Sequence, residues 1–253
     1  MYVKIKKFLI YFIVKERRIK LQNIGIIGAM EEEIALLQQK AFITDTEEFI
    51  GLTFYKGTLY NKKIVLVKSG IGKVNAALCV QVLIDRFGVD CVINVGVAGA
   101  IYKQLSIGDI VISKDTVQHD MDTSVFGDPI GIIPRMKESY FKADKTLIEL
   151  AEKCSMSLKS KANVFLGRVA SGDQFISTPQ GKQKIWQTVQ GYCAEMEGAA
   201  IAHACYLNQI PFVIIRSISD DAEDKAHIAY EQFVKIAAEN SSELLEKMIE
   251  IMP

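Results

Sequence analysis

The sequence predicts an α/β fold, a single domain in which helices flank a central mixed β-sheet. Short apolar runs rich in Ile and Val alternate with segments of helical spacing, which is the pattern of strands and helices that follow one another in such a sheet. The chain has 253 residues, of which 49% are hydrophobic and 24% charged, enough to bury one substantial core. No internal repeat, low-complexity segment or linker interrupts the pattern from Ile24 onward.

Each strand and helix of the first half is predicted from its own stretch. These are the strand NIGIIGAM, the helix EEEIALLQQKA, the strand pair FYKGTLY and KIVLVKSG with its turn at Asn61 and Lys62, the helix VNAALCVQVLIDRF, and the strands CVINVG and GDIVISK. The first helix is predicted because Ile34, Leu37 and Ala41 fall on one helical face.

The second half continues the alternation. We predict a helix in DKTLIELAEKC, a strand in ANVFLGRVASG, a short segment YCAEM, a helix in EGAAIAHACYL, a strand in FVIIRSISD and a closing helix over about residues 230–251. Ligands of such sheets usually bind at the carboxyl ends of the strands, so the candidate site residues are sought there.

Charge and cysteine content limit the classes of partner. The 30 acidic and 30 basic side chains cancel without a long run of either sign, which argues against nucleic acid and favours a small, nearly neutral ligand. The five cysteines are an odd number, contain no C-x-x-C pair and fall mostly within apolar runs. They are interpreted as reduced core residues of a cytoplasmic protein.

Residues 1–21 differ from the domain predicted over residues 22–253. The apolar block 8–14 is too short to cross a membrane, and basic residues follow it where a signal peptide has its cleavage site. The codons for RRIKL could be AGG-AGG, six further nucleotides and TTG. This would be a ribosome-binding site correctly spaced before a TTG start codon at Leu21. The extension is therefore either a short amphipathic tail or the product of a misassigned start, and deleting it up to Lys20 is expected to leave activity unchanged.

Three groups of acidic residues follow predicted strands. Glu31, Glu32 and Glu33 open a helix, where the helix dipole favours anions, so a solvated first turn explains them without a catalytic role. Glu195 and Glu197 flank another helix start. The helix after Glu197 is almost entirely small and apolar, so this carboxylate is predicted to face a packed interior and to need hydrogen-bond partners.

The third acidic group is the segment RSISDDAED, in which Asp220 follows an apolar strand. Taken by itself, Asp220 could simply cap the next turn. Its occurrence with two other acidic groups at strand ends favours an active site that uses several carboxylates.

Other polar motifs are weaker. The segment QHDMD places His119, Asp120 and Asp122 close together, but this spacing matches no strong metal signature and favours a turn or strand end. His203 and His227 are isolated in the sequence. The glycines of KSGIGKV and NVGVAGA lack both G-x-G-x-x-G spacing and the lysine-serine pair of a P-loop. We therefore predict neither a metal nor a cofactor.

The motifs together resemble one enzyme family. GIIGAMEEE, KSGIGKVNAA, INVGVAGA, GDIVIS, SGDQFI, AEMEGAAIAHAC and FVIIRSISDDA occur in the order and at about the spacings of the 5'-methylthioadenosine/S-adenosylhomocysteine nucleosidases. The resemblance runs from Ile24 to the C-terminus. It implies a nucleoside phosphorylase-like fold and an enzyme that hydrolyses the N-ribosidic bond of thioadenosines, releasing adenine.

The resemblance implies roles for three carboxylates. Asp220 corresponds to the general acid that protonates adenine at ring nitrogen 7, with Ser219 to orient it and burial to raise its pKa. Glu197 corresponds to the residue that accepts hydrogen bonds from the ribose hydroxyls. Glu33 corresponds to the base that positions and deprotonates water, and the helix dipole is expected to keep it ionised.

The resemblance also implies substrate contacts. Phe175 is similar to the aromatic residue that stacks on adenine, and the backbone of Ile176 would read the edge of the base. Phe126 and Pro134 match positions that the family contributes from a neighbouring subunit, which implies a homodimer. The other implied substrate-binding residues are Met30, Ile71, Val97, Gly99, Glu195, Met196, Arg216, Ala222 and Tyr230.

Two residues depart from the family pattern. Val97 stands where several relatives have serine, and Tyr230 stands where phenylalanine is common. Three alternatives remain open: an aminodeoxyfutalosine nucleosidase, which shares much of the site; a purine nucleoside phosphorylase; and a non-catalytic adenosine-binding module. Like charge at Glu33 and Glu195 is predicted to repel phosphate, which favours hydrolysis over phosphorolysis.

Overall fold

The computed structural model describes residues 21–160, 162–221 and 226–253. Residues 1–20 of the N-terminal extension lie outside the described residues, and so does Ala222, one of the expected substrate-binding residues. Leu21 itself is buried in the core. Within the described part of the chain, no helix combines the length and the apolar character needed to span a bilayer.

Strands and helices alternate along most of the chain, as predicted. The strands are β1 Asn23–Gly28, β2 Phe42–Phe49, β3 Leu52–Leu59, β4 Lys62–Lys68, β5 Cys91–Ala100, β6 Ile110–Gln118, β7 Phe141–Lys142, β8 Val164–Ser171, β9 Cys193–Glu195 and β10 Phe212–Asp220. The helices are α1 Glu31–Lys40, α2 Lys73–Asp85, α3 Lys145–Ser155, α4 Pro179–Val189, α5 Gly198–Asn208 and α6 Ala226–Ile251, with a 3-10 turn at Ser124–Phe126.

The strands form one mixed sheet that partly closes on itself. Strand β5 pairs with β10 in parallel and with β9 in antiparallel orientation, and β6 and β8 complete a ring of five strands between them. Strand β1 pairs with the first half of β5, at Cys91–Asn94, on the edge opposite β10, and β4, β3 and β2 follow β1 outward. The predicted α/β fold with a mixed sheet is confirmed.

Helices cover both faces of the sheet. On one face, α2 and α5 contribute buried Cys79 and Cys205 to the larger core cluster. On the other face, α1, α3 and α6 contribute Leu37, Leu147 and Leu244 to a second cluster. All five cysteines are free and buried, as interpreted from the sequence.

Four elements differ from the sequence prediction. Strand β2 was not predicted because FITDTEEF is polar, and it is in fact a largely exposed edge strand. The β3–β4 turn lies at Tyr60 and Asn61, which take positive φ, one residue before the expected position. The two-residue β7 and the helix α4 were also missed. The start of α4 could have been predicted from the sequence, because Thr178 is followed by a proline at the first helical position. In the structure the Thr178 side chain caps the helix by accepting from the N–H of Gly181.

Candidate active site

A cavity of about 390 Å³ opens at the carboxyl ends of β1, β5, β9 and β10. Its deep side, which we call the inner wall, consists of Glu33, Glu195, Glu197 and Asp220. Its outer side, which we call the mouth, consists of Met30, Ile71, Phe175 and Tyr230. The remaining lining residues are Ala29, Val97, Ala98, Gly99, Ala194, Met196 and Ser219.

Glu33 lies in the first turn of α1 but is not solvated, because its side chain turns back beneath the helix and is only 4% exposed. Its Oε2 accepts hydrogen bonds from the N–H groups of Ala29 and Met30, at 2.6 and 3.1 Å. Its Oε1 accepts from the N–H of Val97 at 3.1 Å. A side chain at Gly96 would collide with this carboxylate, since its Cβ would lie 2.5 Å from Oε1.

The electrostatics of Glu33 differ from the sequence expectation. Burial raises the pKa of Glu33, whereas Arg216 and the three N–H donors oppose the rise. The expectation of a dipole-ionised carboxylate therefore left out desolvation, the dominant influence in this structure. A carboxylate with a raised pKa is a better proton acceptor once it is ionised.

Glu195 and Arg216 form a buried ion pair that supports the inner wall. Arg216 is 2% exposed and does not line the cavity. Its Nε donates to Glu195 Oε2 at 3.1 Å, and its Nη2 donates to both Glu195 and Asn94. Glu195 also accepts from the Ser171 hydroxyl and from the N–H of Gly198 at 2.8 Å. Because both charged groups have several partners, the pair is held in one orientation.

Glu197 occupies the N-cap position of α5 and is 6% exposed. Its Oε1 accepts a hydrogen bond from the N–H of Gly72 at 2.8 Å, which supplies a partner of the kind predicted from the sequence. Burial and the neighbouring Glu195 carboxylate raise the pKa of Glu197 to about 8. The protonated form of Glu197 is therefore favoured in this site relative to an exposed glutamate.

Asp220 ends β10 and is 1% exposed. The Ser219 hydroxyl donates to Asp220 Oδ2 at 2.9 Å, as the sequence analysis expected of an orienting serine. The register of β10 against β5 shifts between Ile218 and Asp220, so the aspartate pairs with Gly99 beside the cavity.

The mouth is apolar and aromatic. The rings of Phe175 and Tyr230 meet edge to face, with centroids 5.7 Å apart. The Tyr230 hydroxyl donates to Met30 Sδ at 3.0 Å. Phe175 is 48% exposed and Ile71 is 53% exposed, so this end of the cavity is open in the single chain.

Several expected residues do not reach the cavity. Phe126 is 85% exposed and Pro134 is also exposed, and neither lines it. The side chain of Ile176 lines a separate cavity of about 220 Å³ beside His119. Over the described ranges, no group of three His, Cys, Asp or Glu side chains is placed to hold a metal.

Some supporting residues were missed by the sequence analysis. The N–H of Gly72, the amide of Asn94 and the hydroxyl of Ser171 hold the inner-wall carboxylates and Arg216. All three lie in motifs that carry the family resemblance, namely KSGIGKVNAA, INVGVAGA and SGDQFI, but the resemblance assigned them no role. Gly72 takes a φ of +99°, a conformation that favours glycine.

The fold and the site match known enzymes. The family model described as the phosphorylase superfamily matches residues 23–250. A 5'-methylthioadenosine/S-adenosylhomocysteine nucleosidase of Bacillus thuringiensis (strain Al Hakam) is 41% identical over 229 residues, which cover 90% of this chain and 98% of that protein. The chain therefore belongs to the phosphorylase superfamily and, within it, to the family of the 5'-methylthioadenosine/S-adenosylhomocysteine nucleosidases.

Solved structures agree with this placement. The nucleosidase from Neisseria meningitidis, in complex with methylthio-immucillin-A, is 39% identical with a TM-score of 0.88, and the match covers 92% of this chain and 100% of that chain. The futalosine hydrolase of Helicobacter pylori strain 26695 is 34% identical with a TM-score of 0.87, over 92% of this chain and 99% of that chain. The resemblance found in the sequence is confirmed.

Proposed function

We propose that this enzyme hydrolyses the N-ribosidic bond of 5'-methylthioadenosine and S-adenosylhomocysteine, releasing adenine and the thioribose. The observation that carries the proposal is the composition of the cavity. Among the described residues that line it, four are carboxylic acids and none is Lys, Arg or His. Such a lining suits a positively charged transition state, as in the cleavage of a glycosidic bond.

Three of the four carboxylates have separate tasks. Asp220, buried and hydrogen-bonded to Ser219, protonates adenine at ring nitrogen 7, so that the base leaves as a neutral molecule. Glu197 accepts hydrogen bonds from the ribose hydroxyls and holds the sugar. Glu33 orients a water molecule and takes its proton as the water attacks the anomeric carbon.

Water rather than phosphate is the nucleophile. A phosphate dianion would have to approach Glu33 and Glu195, and like charges about 4 Å apart repel by roughly 4 kcal/mol at an effective dielectric near 20. The cation behind this wall, Arg216, already donates to Glu195 and Asn94. Because Arg216 is engaged by Glu195 and Asn94, these contacts also argue against a purine nucleoside phosphorylase, which needs a cation to bind phosphate.

The proposal is tested by chromatography of the products. We expect adenine and free methylthioribose from methylthioadenosine at a rate that does not depend on phosphate at constant ionic strength. Glu33→Gln should lower turnover by at least about a hundredfold, the usual contribution of a general base. The matched control is Glu32→Gln, because Glu32 is exposed one position earlier in the same helix. A sugar 1-phosphate as the main product would make this enzyme a phosphorylase.

A second candidate substrate is aminodeoxyfutalosine. It is favoured by the similarity to the futalosine hydrolase of Helicobacter pylori, which is almost as close in structure as the nucleosidase from Neisseria meningitidis. Hydrolysis of aminodeoxyfutalosine and of methylthioadenosine both release a base from a ribose. The inner-wall carboxylates could therefore catalyse either reaction. Parallel assays with methylthioadenosine, S-adenosylhomocysteine, aminodeoxyfutalosine and adenosine rank them.

The active form is a homodimer in which a neighbouring copy completes the mouth. Around the mouth, Ile71, Val74 and Leu78 are each more than half exposed, and Val74 and Leu78 lie one turn apart on α2. Val125 and Phe126 are 86% and 85% exposed. Apolar surface of this kind is typical of a protein interface, and a second copy supplies Phe126 and Pro134 to the site. The enzyme acts in the cytoplasm, where its five free cysteines stay reduced.

A further inference from the structure

Three residues outside the cavity form a closed ring of hydrogen bonds beside it. The N–H of Lys73 donates to Asp173 Oδ1 at 2.8 Å. The N–H of Asp173 donates to Asp120 Oδ2 at 3.0 Å. The ammonium of Lys73 donates to Asp120 Oδ1 at 2.7 Å and to Gln118 Oε1 at 3.1 Å. Each member of the ring therefore holds the other two.

The ring joins three segments that border the site. Lys73 is the first residue of α2, Asp120 follows β6, and Asp173 follows β8. The side chains of Lys73 and Asp120 are 19% and 15% exposed, so their ion pair is partly desolvated and stronger than a surface pair. A partly buried pair between separate segments restricts their relative movement.

Two proposed substrate-binding groups lie within two residues of this ring along the chain. Gly72, whose N–H holds Glu197, immediately precedes Lys73. Phe175, at the mouth of the cavity, lies two residues after Asp173. A Cβ at Gly72 would lie 3.2 Å from Asp173 Oδ1, so the two segments are in close contact. The ring thus connects the proposed ribose contact with the proposed adenine contact.

We propose that Asp173 is a positioning residue, which through Lys73 and Asp120 sets the distance between the Gly72–Glu197 contact and the Phe175 ring. This inference rests on the proposed function, because it assigns the two groups to one bound nucleoside. Asp173 does not line the cavity, so it is not placed to contact the attacking water or the ribosidic bond. Its loss therefore weakens nucleoside binding more than it slows bond cleavage.

The test compares two substitutions at Asp173. Asp173→Ala removes the acceptor of the Lys73 N–H, and we expect KM for methylthioadenosine to rise at least about fivefold while kcat changes less than about threefold. Asp173→Asn retains a carbonyl acceptor and should restore KM to within about twofold of wild type. Asp120→Ala, which opens the ring at another point, should raise KM in the same direction.

The matched control is Asp115→Asn, which removes another partly buried ion pair between β6 and β8. Asp115 accepts from Arg168 at 2.5 and 2.9 Å, its side chain is 13% exposed, and it does not line the cavity. It should lower Tm without changing KM. If Asp173→Ala behaves like this control, or if Asp173→Asn is as impaired as Asp173→Ala, Asp173 is not a positioning residue.

The affinity for adenosine, measured by calorimetry, separates this inference from the proposed function. A wild-type enzyme that binds adenosine but releases no adenine from methylthioadenosine would refute the catalytic proposal alone. An unchanged affinity in Asp173→Ala would refute the positioning role, whatever the activity of the wild type.

Discussion

The inner wall and the mouth of the cavity are built in different ways. The four inner-wall carboxylates are at most 7% exposed, and each accepts at least one hydrogen bond from a backbone N–H group or a serine hydroxyl. At the mouth, Ile71 and Phe175 are about half exposed, and the Phe175 ring meets Tyr230 edge to face. The inner wall is thus buried and hydrogen-bonded within one chain, whereas the mouth is open in the single chain.

This difference has a physical basis. Buried carboxylates need several fixed donors, and backbone N–H groups at strand ends and helix starts provide them at low entropic cost. An alkylthio group needs only apolar surface, which a neighbouring chain can supply as well as the same chain. The chemistry is therefore expected to tolerate little change, whereas the mouth can vary between relatives.

The largest effect is predicted at the inner wall for Asp220→Asn. The amide cannot donate the proton that adenine needs, so kcat should fall at least about a hundredfold while affinity for adenosine stays within about threefold. Single-turnover kinetics and calorimetry measure the two quantities. Asp221→Asn, one residue later and exposed, is the control. Near wild-type turnover in Asp220→Asn would remove the general acid from the mechanism.

The second prediction concerns the stability of the unliganded enzyme and Glu197. Its pKa of about 8 in the folded state exceeds the usual 4.5, so between these values the folded protein holds a proton that the unfolded chain has lost. This contribution to stability is complete below pH 4.5 and is lost as the pH rises through about 8. Tm of the wild type should therefore decline more between pH 5 and 8 than Tm of Glu197→Gln.

Glu33 also has a raised pKa and is retained in Glu197→Gln, so the comparison reports the loss of Glu197 together with its repulsion from Glu33. Calorimetric scans in buffers of matched ionic strength provide the measurement. Parallel curves for the two proteins would mean that Glu197 is already ionised at neutral pH in the empty site.

The sequence predicted the inner wall better than the structure around it. Glu33, Glu197 and Asp220 were found because acidic residues directly after apolar strands are unusual and because the motifs around them resemble a family. The ring of Lys73, Asp120 and Asp173 was not found. Lys73 and Asp173 are 100 positions apart, and no local pattern relates them.

Energetics were also hidden from the sequence. The sequence at the start of α1 indicates that Glu33 lies near the positive end of a helix. It does not show that the Glu33 side chain accepts from the N–H of Met30 and lies against Gly96. Desolvation depends on tertiary burial, so the direction of its pKa shift could not be read from the first turn alone. In the segment QHDMD, the ion pair that Asp120 forms with Lys73 depends on the folded chain and could not be read from the sequence.

The third prediction tests whether a second copy completes the mouth. Phe126→Ala should raise KM for methylthioadenosine roughly tenfold with little change in kcat, since burying a phenylalanine contributes about 1.5–3 kcal/mol. Phe42→Ala is the control, because Phe42 is 72% exposed on the edge strand β2 and does not line the cavity. Sedimentation verifies the oligomeric state of each variant. An unchanged KM in a dimeric Phe126→Ala variant would exclude this residue from the site.

The smallest effect is predicted for Tyr230→Phe, which introduces the residue common in the family. The hydroxyl donates to the sulfur of Met30, a weak acceptor, so its removal should hardly affect binding of a plain methylthio group. S-adenosylhomocysteine instead carries an amino acid on its sulfur, and we expect this polar tail to leave the cavity at the mouth, which Tyr230 lines. We therefore expect kcat/KM to fall about threefold for S-adenosylhomocysteine and to stay constant for methylthioadenosine when both compete in one assay. Tyr60→Phe, which removes a hydroxyl bonded to Glu246 away from the cavity, should leave the ratio unchanged. An equal change for both substrates would show that the hydroxyl does not discriminate between them.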